Sequence, residues 1–138
     1  MADRVKKISY CYIKVPNRAG HGEQILGQLR ESGVSLLAYS GFPIGGGKAQ
    51  LDFVPHNIIA FRKVARKNGW RLSKPKKGFL VTGGDQLGAV HKHIRKLAEA
   101  KINITAADAV AAGKGRYGMI LWVNPNQYNR AARVLGAR

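Results

Sequence analysis

Few residues in this sequence are spaced for catalysis. The four histidines are His21, His56, His91 and His93. His91 and His93 stand two apart in a stretch that reads as helix, which turns them to different sides. No cysteine pair or acidic cluster joins them, so no zinc site is expected and no cofactor is assigned. No nucleophile has an orienting base beside it. The single cysteine, Cys11, lies in a β-forming run and reads as a small core residue; it leaves no internal disulfide. Gly45-Gly46-Gly47-Lys48 and Gly113-Lys114-Gly115 superficially suggest phosphate loops. A phosphate loop needs four residues between its first glycine and a Gly-Lys-Ser/Thr that opens a helix. Both stretches instead join two strands, and the chain is expected not to be an enzyme.

Two glycine-bearing turns hold more chemical interest. Asn17-Arg18-Ala19-Gly20 and Asp85-Gln86-Leu87-Gly88-Ala89 each lead into a helix. A glycine there lets backbone amides at the helix N-terminus approach a ligand closely, and those unpaired amides with the helix dipole favour a carboxylate. Asp85 reads as a turn or capping residue, and His21 as a surface histidine at a helix start.

The elements that must position these turns follow from periodicity. Ser9-Tyr10-Cys11-Tyr12-Ile13-Lys14-Val15 reads as a strand. Ile25, Leu26 and Leu29 place an apolar stripe on a helix that stops near Gly33. Residues 34–42 form a second strand, Gly45-Gly46-Gly47 a hairpin connection, and Ala49, Leu51 and Phe53 the inward face of a third strand. Ile58, Phe61 and Val64 are spaced for a helix, and residues 70–72 for a short closing strand. The second half starts with strand 79–82. Leu87, Val90, Ile94 and Leu97 make a helix face. Strands over 102–110 and 117–123 follow, and Tyr128, Ala131 and Leu135 suggest a last helix.

The two halves overlay. Gly20 through Leu29 falls on Gly88 through Leu97, and Val34-Ser35-Leu36 on Ile102-Asn103-Ile104. Leu51-Asp52-Phe53-Val54-Pro55 is set against Leu121-Trp122-Val123-Asn124-Pro125, with a small length difference in the Gly-rich turn. The order βαββαβ then βαββα describes an α+β protein: two ferredoxin-like repeats with antiparallel sheets, residues 1–77 and 78–138. Right-handed crossovers bring the first and third strands of each repeat side by side. The second repeat lacks its last strand, which leaves an edge beside residues 79–82 to be covered.

These motifs resemble the ACT domain family, in which a strand, a turn like Asp-Arg-Pro-Gly, an amphipathic helix and Gly-Ile-Asn-Ile follow in order. The second repeat reads Gly84-Asp85-Gln86-Leu87-Gly88-Ala89, then Ala100-Lys101-Ile102-Asn103-Ile104; the first reads Val15-Pro16-Asn17-Arg18-Ala19-Gly20, then Gly33-Val34-Ser35-Leu36. The resemblance implies a regulatory protein that binds a small molecule, with an amino acid as the expected ligand. It places the site at the first turn and the start of the second strand: Asp85, Gln86, Leu87, Gly88, Ala89, Asn103 and Ile104, with Asn17, Arg18, Ala19, Gly20 and Ser35 in the first repeat. An amide such as Asn103 both donates and accepts, which suits an amino acid. Lys101 stands where the family often has Gly, and Ser35 where it often has Asn.

Charge sets the alternatives. Twenty-four Lys and Arg against seven Asp and Glu give +17 over 138 residues. Residues 1–77 carry 15 basic and 4 acidic residues and residues 78–138 carry 9 and 3. Such an excess attracts any polyanion. Tyr10, Tyr12, Phe79, Tyr117 and Trp122 lie on strands, so a nucleic-acid-binding sheet that stacks bases on them is the alternative reading; weak, salt-sensitive binding is expected. No apolar run approaches the roughly 18 residues of a membrane span. A cytoplasmic homodimer without membrane attachment is expected.

Overall fold

The computed structural model describes residues 2–138. The elements run β1 (Arg4–Pro16), α1 (His21–Glu31), β2 (Leu36–Gly45), β3 (Lys48–Pro55), α2 (Ile58–Asn68), β4 (Lys76–Gly84), α3 (Ala89–Glu99), β5 (Ile104–Gly113), β6 (Arg116–Val123) and α4 (Tyr128–Leu135), with a single 3-10 turn at Pro125–Gln127. The chain divides into two compact units. One is Ser9–Lys76; the other is Lys77–Arg138 together with the chain up to Ile8. The linear division at 77/78 differs from this at the N-terminus.

In the first unit the order is β2-β3-β1, all antiparallel. Cys11, Ile13, Leu51 and Phe53 turn inward and meet Ile25 and Leu29 of α1 and Phe61 of α2. In the second the order is β4-β6-β5, again antiparallel. Phe79, Val81, Met119 and Leu121 meet Leu97 of α3 and Ala131 and Leu135 of α4. Period-2 alternation on the strands and period-3.6 stripes on the helices produce each core.

The repeat holds one constant offset of 68 residues. Cys11 pairs with Phe53 and Phe79 with Leu121. The hairpins close on Gly45–Lys48 and Gly113–Arg116, and both edge strands carry register shifts at the same places. Phe53 therefore corresponds to Leu121, and the length difference assumed in the glycine turn does not exist. Left-handed geometry recurs as well: Gly33 has φ 73° and Lys101 φ 59°, each just past the residue that caps its helix.

The expected closing strand over 70–72 is not formed. After α2 the Trp70 amide bonds back to Ala65 O, and Ser73 takes over the bridging: its N–H donates to Tyr12 O, and its Oγ accepts from the Tyr12 N–H, both at 2.9 Å. A side chain thus replaces a ladder bond. The second unit uses the start of β1. Val5 is in its core; Lys7 N–H donates to Arg138 O (3.2 Å) and Arg138 N–H to Val5 O (3.1 Å). Among the described residues no helix is long and apolar enough to cross a membrane.

Candidate ligand-binding cleft

The second unit opens a cleft of about 280 Å³ where β4 turns into α3. The turn is tied down by its own backbone: Asp85 N–H donates to Gly115 O (2.8 Å) and Ala89 N–H to Gln86 O (3.0 Å). Gly88 caps α3 in left-handed geometry, φ 76°, and no side chain caps the first turn. With the Ala89 amide taken by Gln86 O, the helix presents its next first-turn amides and the positive end of its dipole without a side-chain partner. Asp85, Gln86, Gly88 and Ala89 line the cleft on one side, Ala109–Ala111 of β5 and Tyr117 of β6 on another. Acidic and amide-donor groups thus share one hollow, a pairing that suits a ligand with both ammonium and carboxylate.

Tyr117 is held from behind. Its hydroxyl donates to Asp3 Oδ2 at 2.7 Å. Asp3 also accepts from His93 Nε2 at 2.6 Å and pairs with Lys92 Nζ at 3.1 Å. Burial pushes the Asp3 carboxyl up, but the hydrogen bonds from His93, Tyr117 and Lys92 outweigh it and hold it at about 2. The ionised carboxylate only accepts, so His93 Nε2 carries the proton. Burial, and then the bond to Asp3, push the Tyr117 hydroxyl far up, so it stays a neutral donor. Gly83 makes the room: a Cβ there would sit 1.9 Å from Asp3 Oδ1.

The structure gathers part of the sequence-derived site. Asp85, Gln86, Gly88 and Ala89 come together. Leu87 lies in the same turn but is wholly exposed, outside the wall and outside the α3 face proposed for it. Asn103 and Ile104 are elsewhere. Both β4 and β5 run antiparallel to β6, hence parallel to each other. The turn after β4 then meets the end of β5, whereas Asn103 precedes its start, about 20 Å away at roughly 3.3 Å per residue. Ser35 is separated from Asn17, Arg18, Ala19 and Gly20 for the same reason; it lines a shallow hollow with Leu26, Arg30 and Val34 at the far end of α1. Asp85 does not cap α3 by its side chain. Gly20 and Gly88 are required by positive φ rather than close approach, since a Cβ at either meets nothing within 4 Å.

The first unit's counterpart of the cleft is filled. The Tyr39 hydroxyl lies 3.1 Å from a Cβ built at Gly22 and 3.6 Å from one at Gly41. Gly22 and Gly41 correspond to Val90 and Ala109 of the cleft, and Tyr39 to Ala107. Of the strand aromatics named for base stacking, Tyr10, Phe79, Tyr117 and Trp122 are buried and Tyr12 is half-buried, so these five make no open stacking platform. Among the described residues no three His, Cys, Asp or Glu gather to hold a metal.

Asp3, His93 and Tyr117 escaped the sequence reading. Asp3 sits in a charged stretch that looks merely solvated, and the two-residue spacing of His91 and His93 argued only against a metal. The one available signal was Gly83, a second glycine in the turn with no conformational need for it.

No known family model and no curated protein matches the sequence. Solved structures match its fold. Protein BT0572 from Bacteroides thetaiotaomicron superposes with a TM-score of 0.82 at 13% identity, covering 96% of this chain and 88% of that one. The ligand-free regulatory subunit of aspartate kinase from Thermus thermophilus gives 0.60 at 16%, covering 98% and 93%. A putative C-terminal regulatory domain of aspartate kinase from Porphyromonas gingivalis W83 gives 0.53 at 12%, covering 98% and 94%. The aspartate kinase regulatory domains are ACT-domain proteins, and the fold of this chain is of the ACT type.

Proposed function

We propose that this chain is a regulatory protein that binds a small carboxylate-bearing molecule, an amino acid first among the candidates, in the cleft at the start of α3, and that it catalyses no reaction. The observation that carries the reading is the uncapped α3 N-terminus facing a hollow that also holds Asp85. Helix amides take the carboxylate, Asp85 the ammonium, and Gln86 either donates or accepts. The structural likeness to aspartate kinase regulatory domains supports a regulatory role. The cleft in the second unit is the working one, because Tyr39 occupies its counterpart in the first.

A thermal-shift screen of the intact protein against the twenty amino acids tests this. A ligand at 100 times its Kd adds about 2.7 kcal/mol to stability. Ala111→Trp fills the cleft and Asp85→Asn removes its only carboxylate; both abolish or weaken the shift while leaving the unliganded midpoint near the parent's. A shift that survives both substitutions overturns the assignment. Gly88 is a poor probe, since any side chain at φ 76° strains the backbone.

A further inference from the structure

The first unit carries a second surface unrelated to the cleft. Between Asp52 and Asp85 the sequence has no acidic residue. In that stretch α2 exposes Arg62, Lys63, Arg66 and Lys67, and the extended segment after it exposes Arg71, Lys74 and Lys76. None of the seven is in an ion pair among the described residues. Arg62 with Arg66, and Lys63 with Lys67, are i,i+4 pairs of like charge, which repel one another and weaken the helix. By contrast, α3 pairs its Arg95 with Glu99. An uncompensated cationic face of this kind is neutralised by a polyanion.

We propose that the outer face of α2 and the segment through Lys76 bind the phosphate backbone of a nucleic acid. The apolar residues of the stretch argue for phosphates over a lipid surface. Phe61 and Ala65 are fully buried, and Ile58, Val64, Trp70 and Leu72 pack against the core. Only Ile59 stands out, 66% exposed. A membrane-surface helix needs a free apolar face to insert, and α2 has spent its own on the protein interior. The stretch itself offers no open aromatic ring for stacking on bases either: Phe61 is buried and Trp70 packs against the core. The contacts are therefore to phosphates, without sequence preference, and dependent on counterion release.

The test is fluorescence anisotropy of the intact protein with a short labelled duplex DNA at a series of salt concentrations. For seven phosphate contacts the affinity falls by roughly 10³ or more between 50 and 200 mM salt. The variant R62Q/K63Q/R66Q/K67Q loses four contacts, which flattens the slope of log affinity against log salt by about 3.6. The variant K6Q/K96Q/K114Q/R133Q removes the same charge from exposed positions elsewhere and changes the slope by less than about one contact's worth, about 0.9. Circular dichroism checks that both remain folded; glutamine relieves the repulsion along α2, so the first is expected to fold. Equal losses in the two variants overturn the proposal, because the attraction is then a diffuse property of the net charge. So does a preference for phosphatidylserine vesicles over DNA that disappears only in the α2 variant.

Discussion

His93 Nε2 lies 2.6 Å from Asp3 Oδ2, a contact that joins the start of the chain to α3 across 90 residues. The same carboxylate receives the Tyr117 hydroxyl, and Tyr117 is a wall of the cleft. Asp3 is thereby both an anchor for residues at the start of β1 and a support for one wall of the cleft. Of its three partners, His93 and Tyr117 are buried and matter most. Lys92 is half exposed, and such pairs contribute little.

Asp3→Ala is expected to destabilise the protein by about 1–3 kcal/mol, the cost of leaving buried donors unpartnered. Gly83→Ala should cost a comparable amount by driving a Cβ into the Asp3 carboxylate. In the double variant the two costs do not add, because the contact with the Asp3 carboxylate vanishes and only the tight 3.1 Å approach to Tyr117 Cε1 remains. Urea unfolding of the parent, both singles and the double measures the coupling; simple additivity would show that Gly83 does not serve Asp3.

The acid limb of stability follows from the same group. The folded Asp3 carboxyl sits at about 2, below its ordinary 3.8. A depressed folded value stabilises the native state above the unfolded one and is lost as pH falls. The parent should therefore lose about 2 kcal/mol between pH 4 and pH 2 that Asp3→Asn does not. Urea midpoints at stepped pH check this, and identical acid limbs would remove Asp3 from the account.

Lys101→Gly is expected to stabilise. Lys101 adopts φ 59° where the first unit uses Gly33, and a non-glycine residue there costs about 1 kcal/mol. A rise in the thermal midpoint of a few degrees confirms it; no change means that the lysine side chain compensates.

Dimerisation is expected through an exposed edge. β5 pairs only with β6, and nearly all of it is exposed, with Val110 at 65%. Unprotected edges of this kind pair with other chains. Sedimentation equilibrium should show a species of twice 15.0 kDa, and Val110→Lys should return it to monomer. A monomer at high concentration in the parent would sink the idea.

The sequence displayed its repeat most clearly where patterning is strongest. Ile25 and Leu29 on α1, Leu97 on α3, and Ala131 and Leu135 on α4 all lie on buried helix faces. The glycine turns gave the hairpins. Leu87 misled because a hydrophobic residue one step before a helix start fits the same spacing as one inside it. Asn103 and Ser35 lie apart from the turns because a split βαβ unit brings the turn to the end of the second strand, a relation that strand direction alone decides. The Asp3 cluster was beyond reach, since nothing local in residues 3, 93 and 117 announces that they meet.

The placement of the first residues in the second unit also fixes an order of assembly. On a growing chain, Ser9–Lys76 has all of its core as soon as α2 and Ser73 have emerged. The other unit joins residues up to Ile8 to Lys77–Arg138, and closes only when Arg138 reaches Val5 and Lys7. Loop closure over that span is slow relative to the local hairpins and helices of the first unit. Refolding should thus be biphasic, with the Trp70 environment settling before that of Trp122. Substitutions at Asp3 should slow only the later phase.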